Sequence, residues 1–407
     1  MEFTTHRCSD NSGNEYNTCR DLFPELKAKE FYRTVGFKEI AMIYGDTEES
    51  YRKTARLINR FRYQEQGGTP YRTLQENTEK EGAKILDYME EKSRLILKKN
   101  GFTKDGIYEE NNPAYGKNQP LTISEKTIIE AAEKCIEEDM LDEALKNSVC
   151  YEDPKSTVNI SIDDVNVKRQ EDTRQKGEIK EKGKRKYVHN TVAHVSQGDC
   201  DYTLNGSGMR QVLCFVIAFI FENGLSGNRF QFFTDGHRVL NQTILKCFNW
   251  FNNMGIILDW YHLEKKCKEQ LSMAMKGRDV RNNALETLLP LLWHGLTDRA
   301  ITFLKEIDAS KIKSQSVLEK LVQYLHRNKT DIPCYAVRKQ LGLRNSSNIG
   351  EKMNHLVVSD RQKHNGMSWS KKGSVALASV TALKRNKESR RWFQEGEIVF
   401  KLAANGS

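Results

Sequence analysis

Three carboxylates in this 407-residue chain stand where phosphodiester chemistry could use them. Asp163, with Asp164 beside it, lies in the middle of the β-branched run 158–167. Asp235 ends the run RFQFFT and precedes Gly236, and Glu351 opens a helical stretch that follows the loop Asn345–Asn348. Phosphodiester chemistry calls for hard oxygen ligands around Mg²⁺ or Mn²⁺, ions that take few protein groups and keep several waters. Two such ions ~3.5–4 Å apart can activate an attacking oxygen and stabilise a leaving one. Two Asp and one Glu from three separate elements are a minimal set for holding them. A single Asp before Gly is equally a turn residue, so the weight lies in the joint placement. Neighbouring strand residues face opposite sides, so only one of Asp163 and Asp164 can point at such a site. A fourth group, Asp259 with His262 three residues on, lacks the further ligands a zinc site needs. From the residues alone it reads as a hydrogen-bonded strand end.

The elements that must position these groups follow from periodicity. Alternating β-branched residues predict a strand over Val158–Val167, and Tyr187–Gln197 and Asp201–Leu204 read as the next two. Met209–Glu222 reads as a buried helix, Arg229–Thr234 as a strand, Gln242–Asn252 as a helix and Gly255–Asp259 as a strand. Three strands, then strands alternating with helices, is the order of an RNase H-like α/β core with a mixed sheet and flanking helices. From Glu264 to Leu341 only helices are predicted, including Asn283–Leu304 and Ser314–Arg327, which makes an all-helical insertion. Helices over Ile349–Val358 and Val375–Lys387 close the core. The boundaries expected are a helical N-terminal region over 1–150, the first part of the core over 151–265, the insertion over 266–341, and the last core helices with a basic tail over 342–407.

The N-terminal region is polar and helical. Phe37–Gly45 and Tyr51–Tyr63, joined by a turn at Asp46-Thr47-Glu48, resemble a helix-turn-helix. On the second helix Arg52, Arg56 and Arg60 recur every fourth residue and share a face, with Lys53 beside them; Leu57, Ile58 and Phe61 are left for a core. That division suits contact with a DNA backbone, and equally a plain bundle with a solvated basic surface. Thr69-Pro70 opens a further helix. Asn77–Lys99 follows with Ile85, Met89, Leu95 and Ile96 toward one side, and Ser124–Lys146 is the next helix.

Charge points to a polyanionic partner. The net charge is +9, but it is concentrated. Asp331–Ser407 holds 14 Lys/Arg against 6 Asp/Glu, residues 51–100 hold 12 against 7, and Lys168–Lys186 holds 9 against 4. Clustered basic blocks are the footprint of nucleic-acid binding. Near the third acid, Arg361, Lys363, His364, Lys371 and Lys372 surround Trp369, a mixture that could pair with phosphates and stack on bases, or equally a Trp packed into the core with a solvated charged rim. Hydrophobic residues at 38% exclude wholesale disorder, and the longest apolar run, Val212–Phe221, is too short for a bilayer, which needs ~20 residues. No signal-peptide core opens the chain. Nine widely spaced cysteines with no Cys-x-x-Cys pair suggest buried thiols in a reducing compartment. A soluble intracellular protein is expected.

The stretch from about residue 150 to 385 resembles the catalytic domain of bacterial DDE insertion-sequence transposases. It is most similar to the ISLre-type group, once listed as an uncharacterised protein family and related to the Mutator-like transposases. Ser161–Lys168 (SIDDVNVK) resembles the first-acid strand and Phe232–Gly236 (FFTDG) the second-acid element. Asp259–His262 (DWYH) resembles the C/D-x-x-H signature. Arg344–Asn354 (RNSSNIGEKMN) resembles the third-acid motif, with Gly350 placed where Ile is often followed directly by Glu. Arg361–Lys372 resembles the tail of the group, and residues 31–80 its N-terminal region. The resemblance implies Asp163, Asp235 and Glu351 as catalytic, metal-holding acids for two ions of Mg²⁺ or Mn²⁺, with His262 close to them. It implies cutting and joining of double-stranded DNA at element ends by an oligomer, away from membranes, in a bacterial cytoplasm at the nucleoid. On the same helix, Asn354 and His355 fall on the face of Glu351 and could orient it or touch phosphate. A nuclease that cuts without joining, or a decayed relative that only binds DNA, fits the same residues.

Overall fold

The computed structural model describes residues 7–9, 11–12, 15–17, 35–47, 50–63, 68–109, 123–146, 151, 153–170, 186–363 and 367–404. Most of the charged loop after Lys168, Asn111-Asn112-Pro113 and His364 lie outside the described residues. The chain divides into two compact units, Met1–Asn77 with Ser389–Glu397, and Thr78–Glu388 with Ile398–Ser407.

The first unit holds a short hairpin, β1 (Arg7–Ser9) and β2 (Glu15–Asn17), and the helices α1 (Val35–Thr47) and α2 (Tyr51–Phe61). Helix α1 continues through Gly45 to Thr47, so Asp46 and Thr47 of the expected turn are helical, and Glu48 lies outside the described residues. Ser50 caps α2 by accepting the Lys53 amide hydrogen. Tyr51, Thr54, Ala55 and Ile58 are the buried stripe of α2, while Arg52, Lys53, Arg56 and Arg60 are exposed. Phe61 departs from the expected core stripe and is 65% exposed, because the helix ends there and its ring rests only at the edge, 6.4 Å from that of Tyr44.

The second unit is built on a six-stranded mixed sheet. Its strands are β3 (Thr157–Lys168), β4 (Tyr187–Gln197), β5 (Cys200–Gly206), β6 (Arg229–Thr234), β7 (Met254–Leu258) and β8 (Ala403–Ala404), in the spatial order β7-β6-β3-β4-β5-β8. Strands β3, β4 and β5 form an antiparallel meander, and β6 and β7 extend it in parallel. In β3, Ile160 and Ile162 fill one face, while Ser161 and Asp163 turn to the other.

Helix α3 (Tyr71–Lys99) is continuous where the sequence suggested two helices; Leu74, Thr78, Gly82, Ile85, Met89, Ser93 and Leu97 form its buried line, and Leu95 faces out. The expected helix over 124–146 is broken into α4 (Glu125–Glu133) and α5 (Leu141–Leu145). Residues of both pack with Tyr151, Cys334, Val337 and Leu343. Helix α6 (Met209–Glu222) lies on one face of the sheet, where Phe219 meets Tyr202 at 4.7 Å between ring centroids. Helix α7 (Arg238–Cys247) starts four residues earlier than expected, directly after the Asp235-Gly236 turn.

The insertion is helical throughout: α8 (Trp260–Ala274), α9 (Arg278–Trp293), α10 (Thr297–Lys305), α11 (Gln315–Arg327) and α12 (Tyr335–Gln340). The single helix expected over Asn283–Leu304 is interrupted at Gly295, whose φ of +74° ends α9, and whose Cβ position lies 3.0 Å from the Cys334 amide nitrogen. Leu263, Cys267, Leu271, Leu288, Leu321 and Leu325 make a core that is continuous with Phe233, Ile257 and Leu258 of the sheet. Helix α13 (Asn348–Asn354) runs on through a π-helical turn, His355–Ser359, into Asp360–Gln362. Helix α14 (Lys371–Arg385) lies on the sheet face opposite α6, where Ser374 meets Asn190 and Ser379 meets Asn205. The short α15 (Ser389–Glu395) belongs to the first unit. Cys214, Cys247, Cys267 and Cys334 are buried free thiols, and no described helix is long and apolar enough to cross a membrane.

Helix α3 reaches α14 backbone to backbone at Gly82, where a Cβ would fall 2.2 Å from the Ala376 carbonyl oxygen. Ala in place of Gly inside a helix ordinarily gains about 1 kcal/mol. Here Gly82→Ala is expected to lower the melting temperature, as thermal unfolding followed by circular dichroism would show.

Candidate active site

The site grows from the ends of two parallel strands and the helix laid against a third. Strand β6 ends at Thr234, and the chain turns at Asp235-Gly236 with Gly236 at φ +76°. One Asp235 carboxylate oxygen accepts the His237 amide hydrogen at 2.8 Å, which fixes the side chain at the mouth of the turn. The Asp235 carbonyl accepts from the Tyr324 hydroxyl of α11 at 2.9 Å. Here the turn role and a site role coincide in one residue.

Strand β7 ends at Leu258, and the next residue, Asp259, is fully buried. Its backbone amide donates to the Thr234 carbonyl. Its carboxylate accepts four donors: the Tyr261 amide and Ser346 hydroxyl on Oδ1, and the Ser347 amide and hydroxyl on Oδ2. A buried carboxylate without donors would be strongly destabilising, and this one is fully supplied. Asp259 thereby caps α8 and ties the 345–347 loop to the sheet. The Trp260 amide donating to the Asn345 carbonyl adds a main-chain tie. Glu351 stands one turn beyond that loop.

Helix α13 then lies against β3 at very close range. A Cβ on Gly350 would stand 2.1 Å from Ser161 Oγ and 2.8 Å from Ser161 Cβ, so only glycine lets the helix approach there. This is a physical reason for the residue that departs from the expected motif. Three residues after Glu351, Asn354 is buried and donates from Nδ2 to Asp163 Oδ2 at 3.0 Å. The spacing along the helix offers Asn354 to Glu351 or to a phosphate; its amide binds Asp163. His355 is exposed rather than turned to the site.

Asp163, Asp235, Glu351 and His262 line one small cavity, together with Ser161, Ser347 and Asn354. Asp164 is exposed on the other face of β3, where its carboxylate accepts from the Thr191 hydroxyl. His262 Nε2 pairs with Glu351 Oε1 at 2.7 Å. Among the described residues, no three His, Cys, Asp or Glu side chains are already grouped to hold a metal ion; the Glu351 carboxylate is engaged by His262. As a donor set, three carboxylates backed by a histidine and an amide suit a hard divalent cation.

Electrostatics mark the cavity as a place where negative charge is unrelieved. Burial, reinforced by the charges of Glu351 and Asp235, pushes the Asp163 carboxyl up to about 6, against the opposing Asp164 amide and His262. Glu351 moves the other way: the His262 hydrogen bond holds it below the usual carboxylate range, with burial opposing and Lys265 and Lys363 assisting. For His262, burial disfavours the cation, but the Glu351 hydrogen bond and the charges of Asp259, Glu351 and Asp163 outweigh it and raise the pKa. His262 and Glu351 form a charge-assisted pair.

The expected DNA-contacting residues divide. Lys363, Lys371 and Lys372 are exposed, as are Arg56 and Arg60. Arg52 is exposed too, with its guanidinium 5.0 Å from the Tyr71 ring centroid. Arg361 does not belong with them. It is 5% exposed, lies over the Trp369 ring at 5.4 Å, and is packed in the core below α14. Trp369 is buried as well; its indole NH donates to the Gln362 carbonyl and its backbone brackets β3 through Lys168 and Gln170. Arg361 is held by Met367 and Trp369, and Trp369 by Gln362 and the end of β3, so both side chains are packed inside.

A family model described as an uncharacterised protein family, UPF0236, matches residues 231–398, a span that takes in Asp235, Asp259, His262 and Glu351. No curated protein and no solved structure matches the chain.

The raised Asp163 pKa has a consequence for stability. A carboxyl titrating higher in the folded chain than its usual 3.8 destabilises the fold above that folded value, near 6, and carries no such penalty well below 3.8. Two pH units correspond to about 3 kcal/mol at most. Asp163→Asn is therefore expected to raise the melting temperature by several degrees at pH 8, and by distinctly less at pH 4.5. Equal shifts at both pH values in parallel melts would contradict the assigned repulsion.

Proposed function

We propose that this chain is a DDE-type transposase that cuts and joins DNA at the ends of a mobile element. The observation that carries the reading is the meeting of Asp163, Asp235 and Glu351, from a central strand, a parallel strand end and a late helix, in one cavity. The strand order β7-β6-β3-β4-β5, with a meander followed by parallel strands, is that expected of an RNase H-like core and supports the same reading. The span matched by the uncharacterised family model takes in two of the three acids.

In this reading Asp163, Asp235 and Glu351 would hold Mg²⁺ or Mn²⁺. Such ions supply activation of an attacking oxygen and neutralisation of a leaving one. The chain's own groups do the positioning. Asn354 fixes one Asp163 oxygen, the His237 amide fixes one Asp235 oxygen, and His262 holds Glu351. Asp259 is a positioning residue that keeps the loop before Glu351 against the strand ends. Lys265 and Lys363, whose charges act on Glu351, set a positive rim where a phosphate would arrive. Water would attack at the element end, and the freed 3′-hydroxyl would then attack target DNA in line.

Asp163→Asn, Asp235→Asn and Glu351→Gln are each expected to reduce metal-dependent cleavage of an element-end duplex by about 10³ or more, equivalent to ~4 kcal/mol. Duplex affinity should stay within about twofold, and Asp164→Asn should remain active. Loss of cleavage in Asp164→Asn alone would reassign the first acid. A strand-transfer assay with pre-cut ends separates this reading from a nuclease that only cuts.

The exposed row Arg52, Arg56 and Arg60 is proposed to track a phosphate backbone. Replacing all three by Ala is expected to weaken duplex binding and flatten the slope of log K against log salt by roughly 0.9 per lost contact. An unchanged slope would remove α2 from the DNA interface and leave Lys363, Lys371 and Lys372 as the candidates.

A further inference from the structure

A cleft of about 620 Å³ opens away from the acids, between α7, the segment Arg327–Asp331 and the outer edge of β7. Strand β7 is the last strand of the sheet on that side. The Phe230 amide donates to the Asn253 carbonyl and the Asp259 amide to the Thr234 carbonyl, and Phe230 pairs with Met254 in register. In a parallel ladder this parity turns the backbone groups of Gly255 and Ile257 toward β6 and those of Met254, Ile256 and Leu258 outward. The Leu258 carbonyl is taken by the Tyr335 hydroxyl at 2.6 Å. The N–H and C=O of Met254 and Ile256 have no partner among the described residues, and both residues line the cleft. An unpaired edge of this kind is a template for another strand.

We propose that the cleft binds an extended, acid-bearing segment of a partner protein, added as a further strand along β7. Three observations select that occupant. Outward N–H and C=O groups alternate, and only a polypeptide supplies both donors and acceptors at that spacing; a phosphate backbone offers acceptors alone. The edge is recessed between α7 and the 327–331 wall, so a flexible segment fits where the edge of a second folded copy would be held off. Exposed Arg238 and Arg327 stand on the two walls and complement a carboxylate, while Leu245, 54% exposed, offers an apolar contact. The one acid there, Asp331, is already engaged by Asn241 and Thr330. The proposal stands independently of the chemistry at the acid trio.

The probe is a peptide selected from a random phage-displayed library against the full chain and resynthesised with a fluorescein label. Selected sequences should carry Asp or Glu in an alternating pattern, and the peptide should slow amide hydrogen exchange at residues 254–256. Met254→Pro removes one outward N–H at an edge, where proline is tolerated; it should weaken binding at least tenfold, with its fold checked by melting. Leu245→Asp, at an exposed position, should weaken binding several-fold and guards against misfolding in the first variant. The proposal is overturned if no peptide is selected, if exchange at 254–256 is unchanged by a bound peptide, or if both variants bind as the parent does. Protection of 254–256 by a labelled DNA duplex and not by peptide would overturn it in favour of nucleic acid.

Discussion

A single buried carboxylate holds the active region together. Asp259 takes four hydrogen bonds from two distant pieces of chain, the start of α8 and the loop Ser346-Ser347. Neither partner piece could be withdrawn without leaving a charge uncompensated in the interior, and breaking such a site is worth several kcal/mol. That penalty sets the position of the loop, the loop sets the start of α13, and α13 carries Glu351 and Asn354 to the face of β3. Gly350 then sets how closely helix and strand can approach. The acids meet because elements far apart in sequence share one electrostatic requirement.

Around that clamp, the negative groups are arranged so that each has a different relief. Asp259 is satisfied by neutral donors, Glu351 by the His262 ring nitrogen, and Asp163 by a single amide and its neighbour's backbone. Burial, with the charge of Glu351 beside it, raises the Asp163 pKa, while the His262 hydrogen bond lowers that of Glu351. A polar site of this kind lowers fold stability in exchange for a local demand for positive charge. The cationic side chains Lys265 and Lys363 act on it from outside the cavity.

Much of this was readable from the chain itself. The period-two pattern of β3, the apolar run of α6 and the strand RFQFFT gave their elements to within a residue or two, because each pattern is local and strong. The choice of Asp163 over Asp164 agrees with strand parity and with the exposed Asp164 bonded to Thr191. Other features depend on partners far away in sequence. Arg361 and Trp369 look like a surface pair by composition, yet their burial is decided by β3 and α14. Strand β8 is two residues long and carries no pattern of its own. The break between α9 and α10 did leave a signal, Gly295 in the sequence His-Gly-Leu-Thr, which marks a helix end in the left-handed region. The start of α7 was likewise marked by the Asp-Gly turn before it. The role of Asn354 follows from the tilt of α13 against β3, which spacing along one helix does not reveal.

The helices between the second and third acids share one apolar core with the sheet, and they also hand it two tyrosine hydroxyls. Tyr324 binds the carbonyl of Asp235 itself, and Tyr335 binds the carbonyl just before Asp259. The strand ends that bear the acids are therefore finished by atoms borrowed from the insertion. A fragment made by splicing α8 directly to α13 would lose those hydroxyls and uncover the side of Phe233, Ile257 and Leu258 that packs on these helices. For anyone trimming the chain, these helices belong with the sheet they finish.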